Sequence, residues 1–302
     1  CFSPRVLFQI MLSTFGKRVI ILSLIIIVLV LGVFVFFKTR TKPLPTPSVV
    51  EVAILNPVHT IIGESVQGRK IDAYTYGTGK THIAFVGGIH GGYEWNSVLL
   101  AYEFMDYLDA NPKFVPDYLT ITVVPSANPD GVYKVVNKEG RFSKSDVSTN
   151  KVILATGRFN ADDVDLNRNF DCKWQPKSTW QNKIVSAGTT AFSEPEAEAI
   201  KNYVYKDKPS TVIFWHSQSG TVYASQCENG ILPETLKLID IYGKASGYKV
   251  SKTFDAYATT GGADDWLAAI GVPAFTVELT THDGVEWDKN FAGIKAILER
   301  YK

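Results

Sequence analysis

The sequence predicts an α/β fold, in which helices pack on both faces of a central sheet, preceded by one transmembrane helix. Two observations predict the sheet: short apolar runs alternate with segments of helical periodicity, and most of these runs are apolar throughout. A long uncharged segment near the N-terminus predicts the transmembrane helix. With 302 residues, of which 45% are hydrophobic, the chain is long enough for one large domain or two small ones.

The charge balance of the chain favours no class of partner, because the formal net charge is only +1. Lys and Arg nearly balance Asp and Glu, so the basic footprint that nucleic acid binding requires is missing from the sequence. We also find no nucleic-acid motif. The sequence therefore predicts no nucleic acid partner.

The uncharged segment spans residues 19–37 and reads VIILSLIIIVLVLGVFVFF. At about 1.5 Å per residue it can cross a hydrocarbon core of about 30 Å, and a buried core helix seldom lacks a polar face. A signal peptide has a shorter apolar region and a small-residue cleavage site, so an uncleaved membrane anchor fits better. Basic residues flank both ends of the segment, so the positive-inside rule does not decide its orientation.

The chain is predicted to have four parts, of which the anchor, residues 19–37, is the second. Residues 1–18 form a leader, in which residues 1–10, upstream of Met11, are assigned no function. Residues 38–57 form a Pro-rich stalk, because Pro lacks an amide donor and restricts the residue before it. Residues 58–302 contain no repeat and have the length of a single domain.

Apolar runs and helical periodicity define the elements of this domain. The predicted strands are His82–Ile89, Leu119–Pro125, Thr211–Trp215 and Ala274–Glu278. The predicted helices are Asn96–Leu108, Glu194–Tyr205, Pro233–Ala245 and Trp287–Tyr301. Ser193 and Glu196 have the spacing of a capping box, with Pro195 in the first turn. The stretch from Gly131 to Lys183 shows little periodicity and is predicted to be a functional loop.

Polar residues follow the predicted strands, where open α/β sheets have their sites. His90 follows the first strand, and Glu94 comes after a Gly-Gly turn. Such a pair alone is more often a cap and a surface charge, and His216 alone is as easily a core histidine. Together, two imidazoles and a carboxylate form a zinc ligand set that leaves a position for water.

Two further segments carry charged groups. The loop GRFNADDVDLNRNFD contains Arg158, Asn167 and Arg168, which as a set are suited to binding carboxylates and stabilising an oxyanion. Without the other segments, a solvated charged loop explains them equally well. Glu278 ends an otherwise apolar strand, where a carboxylate is costly unless it is paired or catalytic.

These four segments, in this order, resemble the zinc metallocarboxypeptidases of the carboxypeptidase A type and their bacterial relatives, from about residue 60 to the end. The resemblance implies a mixed, mostly parallel central sheet with helices on both faces. It implies one Zn²⁺ per chain, held by His90, Glu94 and His216. Glu278 would deprotonate the zinc-bound water, and Arg158 would stabilise the oxyanion.

The resemblance also implies a substrate. Asn167, Arg168 and the tyrosine of AYATTGGADDW, Tyr257, would hold the free C-terminal carboxylate of a peptide. Asp264, just before the Asp-Trp pair of that motif, would favour basic C-terminal residues; alternatively it caps the short helix that follows. The motif around His90 departs from the family pattern, because three residues instead of two precede Glu94. Tyr93 then takes the usual Glu position, and the Gly-Gly pair can absorb the extra residue.

Alternatives remain open for the activity and the location. A murein-peptide hydrolase or amino-acid deacylase uses the same scaffold, and a zinc-less binding module is the alternative outside the enzymes. Cys172 and Cys227 are either two buried thiols or, outside the cytoplasm, a disulfide. We predict the disulfide, with the N-terminus inside and the catalytic domain extracytoplasmic.

Overall fold

The computed structural model describes residues 4–40 and 57–302, which belong to two separate units. The first unit contains helix α1, Pro4–Arg40. Its segment Arg18–Lys38 has a mean hydropathy of 3.5 and is long and apolar enough to cross a membrane, although a signal sequence has the same properties. The helix includes most of the predicted leader and the first residues of the predicted stalk; residues 41–56 of the stalk lie outside the described residues.

The second unit is built on an eight-stranded sheet with the order β1-β2-β4-β3-β7-β10-β8-β9. The strands are β1 Val58–Glu64, β2 Lys70–Tyr76, β3 Thr81–Val86, β4 Leu119–Val124, β7 Thr211–Ser217, β8 Thr221–Ala224, β9 Lys249–Ser251 and β10 Ala274–Leu279. The four central strands β4, β3, β7 and β10 are parallel to one another, whereas the pairs β1–β2, β2–β4 and β10–β8 are antiparallel and the edge pair β8–β9 is parallel. The sheet is therefore mixed with a parallel centre, as predicted. A separate hairpin joins β5 Lys177–Trp180 to β6 Lys183–Ser186.

Helices cover both faces of this sheet. They are α2 Trp95–Ala110, α3 Pro129–Val136, α4 Lys151–Thr156, α5 Pro195–Asp207, α6 Pro233–Ser246, α7 Ala263–Ala269 and α8 Trp287–Arg300. On one face, α2, α6 and α8 pack with Phe85 and Trp215 of the sheet. On the other face, α5 and α7 pack against Val86 and Phe214. Consecutive strand residues point into opposite cores, so both must be apolar, which explains the unbroken apolar runs.

The four predicted strands and the four predicted helices all exist, with ends that differ by a few residues. The loop predicted between Gly131 and Lys183 instead contains α4, most of α3 and the start of the hairpin. The start of helix α3 is marked in the sequence by its capping residues, although the segment lacks clear hydrophobic periodicity. Asn128 caps the helix by accepting a hydrogen bond from Gly131 N at 2.8 Å, and Pro129 is its first residue.

The predicted capping box at α5 is wrong. The N-cap is Glu194 and makes no side-chain capping bond. The carboxylate of Glu196 accepts a hydrogen bond from Val66 N at 3.1 Å and another from Asn160 Nδ2 at 3.2 Å, while Ser193 Oγ donates to Glu194. Tertiary partners therefore take the groups that a local capping box would use.

Candidate zinc site and peptide-binding cavity

The candidate metal ligands lie at the C-terminal ends of two neighbouring parallel strands. His90 follows β3, and His216 is the penultimate residue of β7. From β3 the chain leaves through α2 on one face of the sheet, whereas it reaches β7 from α5 on the other face. A crevice opens between parallel strands at such a point, and it is where α/β proteins bind ligands. One ligand atom each from His90, Glu94 and His216 lies within 4.8 Å of the others.

The extra residue between His90 and Glu94 is absorbed by a short 3-10 helix, Gly91–Glu94. Gly91 has a φ of +47°, and a Cβ atom at this position would lie 2.5 Å from the carbonyl oxygen of Gly157. Only glycine fits this combination of backbone conformation and close approach. Tyr93 is not part of the cluster but lies in the wall of the same cavity, with its ring 5.1 Å from that of Trp180. Glu94 therefore joins the two histidines despite the unusual spacing.

The three side chains converge through defined atoms. His90 Nδ1 lies 2.7 Å from Glu94 Oε1, and His216 Nδ1 lies 2.9 Å from Glu94 Oε2. The two Nδ1 atoms are 3.1 Å apart. All three residues are buried. Burial would raise the pKa of Glu94, but His90 and His216 outweigh it and hold that pKa well below its usual value.

Asp165 lies beside the second ring nitrogen of His90, the one that does not contact Glu94. His90 Nε2 and Asp165 Oδ1 are both buried, lie 3.4 Å apart, and form no hydrogen bond of normal geometry with any residue of the described ranges. A proton on Nε2 directed at this carboxylate leaves the Nδ1 lone pair free for a metal. Carboxylate–histidine pairs of this kind orient metal ligands. Sequence reasoning missed Asp165, although it stands two residues before Asn167 in the loop that was singled out.

These residues fit a zinc ion. Two imidazole nitrogens and one carboxylate are a known ligand set for catalytic zinc, and three protein ligands leave a position for water or substrate. The Nδ1 atoms of both buried histidines lie within 2.9 Å of the same buried carboxylate, and three candidate ligand atoms gathered in this way are what a cation site requires. His90, Glu94 and His216 are the residues that would hold the ion.

Glu278 lies beside the cluster on β10, where its Cα pairs in register with that of His216. Its Oε2 atom is buried and has no hydrogen-bond partner among the described residues. Burial, and then the negative charge of Glu94, raise the pKa of Glu278 to about 8. A carboxyl group with a raised pKa, next to a metal cluster and without a structural partner, has the properties of a general acid–base group.

Arg158 is a buried cation at the edge of the cluster. Its Nε donates to Asp165 Oδ2 at 2.8 Å, and its Nη1 lies 3.8 Å from Glu94 Oε1. The guanidinium carbon is 4.7 Å from the centre of the Trp180 ring. Burial would raise the pKa of Asp165, but Arg158 and Arg168 hold it well below its usual range. The Arg158 side chain is thereby fixed with its positive charge toward the cavity.

The residues predicted to bind a carboxylate lie on a short 3-10 helix, Leu166–Arg168, and on the loop before α7. Asn167 Oδ1 accepts a hydrogen bond from Ala263 N at 2.9 Å. Arg168 is buried, and its Nε and Nη2 donate to Thr179 O at 3.2 and 3.0 Å. Tyr257 is partly exposed, with its ring 4.9 Å from that of Phe254. Gly261 lies directly against the backbone of Arg168. A Cβ atom at position 261 would lie 2.0 Å from the carbonyl oxygen of Arg168, so only glycine allows this close approach.

Asp264 lies in the first turn of α7, and the N-cap of that helix is Gly262, so Asp264 is not the capping residue. Its Oδ2 accepts a hydrogen bond from Thr276 Oγ1 at 3.0 Å. Burial raises the pKa of Asp264, and the next residue, Asp265, has a pKa raised to about 7 by burial and by Asp264. Neither carboxyl group forms a salt bridge with a Lys or Arg of the described residues, although Arg168 and Lys173 act to lower the pKa of Asp265.

A single cavity of about 330 Å³ brings all of these groups together. Every residue singled out from the sequence for metal, substrate or catalysis contributes to its wall: His90, Glu94, Arg158, Asn167, Arg168, His216, Tyr257, Asp264 and Glu278. The wall also includes His282, which sequence reasoning missed although it follows Glu278 in the loop after β10.

Cys172 and Cys227 form a disulfide, with Cα atoms 5.9 Å apart. Cys172 O accepts a hydrogen bond from Gly261 N at 2.8 Å, so the bridge ties the segment after β8 to the loops that carry Arg168 and Tyr257. The bridge therefore limits the freedom of one wall of the cavity.

We expect reduction or a Cys172→Ser/Cys227→Ser double substitution to lower the free energy of unfolding by up to about 4 kcal/mol. The reason is that the disulfide closes a loop across a sequence separation of 55 residues and so restricts the unfolded chain. Denaturant unfolding of the oxidised, reduced and substituted proteins measures this difference, with Cys1→Ser as the matched control. Thiol labelling of both Cys172 and Cys227 in unfolded, unreduced protein would contradict the disulfide.

Several known proteins resemble this chain in sequence. It is 28% identical over 244 residues to gamma-D-glutamyl-L-diamino acid endopeptidase 1 of Lysinibacillus sphaericus, covering 73% of this chain and 60% of that protein. It is 26% identical over 254 residues to carboxypeptidase B of Helicoverpa zea, covering 75% of this chain and 57% of that protein. The chain thus spans less than two thirds of the length of these relatives.

Solved structures share the fold. Carboxypeptidase A from Helicoverpa armigera matches with a TM-score of 0.62 and 19% identity, covering 82% of this chain and 68% of that chain. Murein-tripeptide amidase from Escherichia coli O157 matches with a TM-score of 0.57 and 21% identity, covering 81% of this chain and 92% of that chain.

The sequence model of the zinc carboxypeptidase family matches residues 54–291, and the chain belongs to that family. The family assignment and the fold class predicted from the sequence are confirmed.

Proposed function

We propose that this protein is a zinc-dependent carboxypeptidase that removes the C-terminal residue of peptides and prefers a basic residue there. One observation carries the proposal: Asn167, Arg168 and Tyr257 share one cavity with the His–Glu–His cluster and Glu278. A guanidinium and an amide beside a hydrolytic centre suit a free carboxylate, which is the group that distinguishes a carboxypeptidase substrate from an internal peptide bond.

When bound, zinc supplies Lewis-acid polarisation of the substrate carbonyl and a water of lowered pKa. Glu278 Oε2 takes a proton from the attacking water and later gives it to the departing amine, so the carboxyl group ends each cycle as it began. Arg158 stabilises the negative charge that develops on the carbonyl oxygen. Asn167 and Arg168 orient the peptide through its terminal carboxylate.

The preference for basic residues rests on Asp264. Its carboxyl group is partly buried at the cavity wall beside Asp265 and accepts a hydrogen bond from Thr276, and no Lys or Arg of the described residues forms a salt bridge with it. A Lys or Arg side chain would supply the missing cation, whereas an apolar side chain would leave the charge uncompensated. The membrane association and the extracytoplasmic location of the catalytic domain, suggested by the apolar segment of α1 and by the disulfide, are part of the same proposal.

A second candidate is a peptidase of cell-wall peptides. The Lysinibacillus relative is named for gamma-D-glutamyl-L-diamino acids, and the Escherichia coli structure for murein tripeptides. Asp264 favours this candidate too, because the side-chain amine of a diamino acid would also satisfy its charge. The two candidates differ in the acyl group of the bond that is cleaved.

A substrate profile separates them. The assay compares α-linked peptides ending in Arg, Lys, Phe or Leu with a γ-glutamyl peptide ending in a diamino acid, each with and without a chelator. Higher kcat/KM for α-linked peptides with a free C-terminal Arg or Lys supports the carboxypeptidase. Cleavage of the γ-glutamyl peptide alone supports the cell-wall candidate, and chelator-resistant cleavage would contradict both.

We expect Asp264→Ala to lower kcat/KM for peptides ending in Arg or Lys by at least about 100-fold, with little change for Phe and Leu. The reason is that the pairing of a partly buried charge is lost, a term that reaches about 3–5 kcal/mol for a fully buried pair. Asp264→Asn is the matched variant, because it keeps the shape and a hydrogen-bonding group while removing the charge. An unchanged order of preference would remove Asp264 from the specificity role.

A further inference from the structure

Hydrogen bonds link three polar side chains at the cavity wall, those of Asn96, Ser217 and His282. Asn96, on α2, is fully buried. Ser217 Oγ lies 2.9 Å from Asn96 Oδ1 and 2.6 Å from His282 Nδ1. His282 belongs to the cavity wall, and its ring centre lies 4.8 Å from that of Tyr93. None of these three side chains has a part in the mechanism above.

The hydrogen bonds of Asn96 determine where the protons of these three side chains lie. Asn96 Nδ2 donates to Thr281 O at 2.7 Å and to Gly284 O at 3.0 Å, so the amide nitrogen must face these carbonyls and Oδ1 must face Ser217. A hydroxyl has one proton, and Ser217 gives it to Asn96 Oδ1. Ser217 Oγ can then only accept from His282, which places a proton on His282 Nδ1.

Neutral His282 therefore has a lone pair on Nε2. A neutral imidazole carries one proton, and in His282 that proton is on Nδ1. Burial lowers the pKa of His282, which keeps the ring neutral at neutral pH. Its Nε2 has no hydrogen-bond partner within residues 57–302. The cavity wall thus contains a hydrogen-bond acceptor, His282 Nε2, and the hydrogen bond to Ser217 fixes the tautomer of that histidine.

The position of His282 indicates which part of a peptide it meets. Along β10, Thr276 contacts Asp264, Glu278 pairs with His216 two residues later, and His282 follows the end of the strand. On β7, Ser217 likewise follows His216. Along β10, the contact with the proposed pocket for the leaving residue and His282 therefore lie on opposite sides of the position that pairs with His216. A peptide that extends across those ligands would bring its acyl side to His282.

We infer that His282 Nε2 accepts a hydrogen bond from a backbone N–H on the acyl side of the scissile bond, and so helps to select α-linked peptides. The inference rests on the proposed function, because it takes the leaving residue to bind at Asp264. Tyr93, packed against the His282 ring, borders the same subsite. Asn96 and Ser217 are positioning residues, since they act by fixing the tautomer of His282.

The test replaces one N–H at a time by an ester oxygen in a peptide ending in Arg, at the two acyl-side positions next to the scissile bond. With the parent enzyme, one replacement is expected to lower kcat/KM by about tenfold, the effect of one hydrogen bond. In His282→Ala the parent peptide should lose a similar factor, and the ester should bring no further loss. His282→Gln, whose amide oxygen can still accept, should keep part of the discrimination.

His59→Ala is the matched control, because His59 is an exposed histidine on β1 that pairs with Asp72. It should discriminate as the parent does. Equal discrimination in His282→Ala and the parent would overturn the inference, as would a parent enzyme that tolerates both esters. If His282→Ala does not fold, unchanged discrimination in a scan of His282→Gln and Ser217→Ala would overturn it. An enzyme that cleaves no peptide with a free C-terminus would instead overturn the proposed function, and this inference with it.

Discussion

Glu278→Gln is expected to lower kcat/KM by about 10²- to 10⁴-fold, the contribution typical of a positioned general acid–base group. The amide has nearly the shape of the carboxylate, but it cannot accept the proton of the attacking water. Because the Oε2 atom of Glu278 has no structural partner, the substitution breaks no hydrogen bond of that atom. The folded protein and its metal content should therefore be unchanged.

Steady-state kinetics on a peptide ending in Arg, together with metal analysis of the same samples, measure both halves of this expectation. Glu299→Gln is the matched control, because Glu299 is exposed on α8 and far along the chain from the candidate ligands. If Glu278→Gln retains full activity, the base must be another group. If it loses zinc as well as activity, Glu278 acts on the metal site and not only on the water.

The central strands were predictable because of their two-sided burial. Phe85 points into one core and Val86 into the other, so the buried positions of β3, from Ile83 to Val86, are all apolar, and the sequence shows an unbroken apolar run there. The edge strands gave no such signal. In β1, partly buried and exposed positions mix because only one face packs against α5, and its length of seven residues is too short for a clear period.

The candidate site was predictable where the chemistry of a residue conflicts with its surroundings. A carboxylate at the end of an apolar strand, as at Glu278, has a cost that suggests a function. Asp165 and His282 were missed because loops bring them to the site. Nothing local distinguishes Asp165 from its acidic neighbours, and His282 acquires its partner Ser217 only through the packing of β7 beside β10. The error at the α5 capping box has the same origin, because distant Val66 and Asn160 bind Glu196.

His216→Ala is expected to abolish activity and to lower zinc affinity by more than the 10- to 100-fold typical of losing an outer-shell partner. The parent protein should bind one zinc per chain. Removal of His216 leaves only His90 and Glu94, and two protein ligands do not meet the three-ligand requirement of a catalytic zinc site. The substitution also removes the contact between His216 Nδ1 and Glu94 Oε2, so circular dichroism and thermal unfolding must show that the variant is folded. Metal titration by competition with a chromogenic chelator measures the affinity.

Tyr93→Phe is the matched control, because Tyr93 stands where the resembling family has its glutamate, and it should bind zinc as the parent does. Unchanged affinity in His216→Ala, or lost affinity in Tyr93→Phe, would show that the ligand set is drawn wrongly.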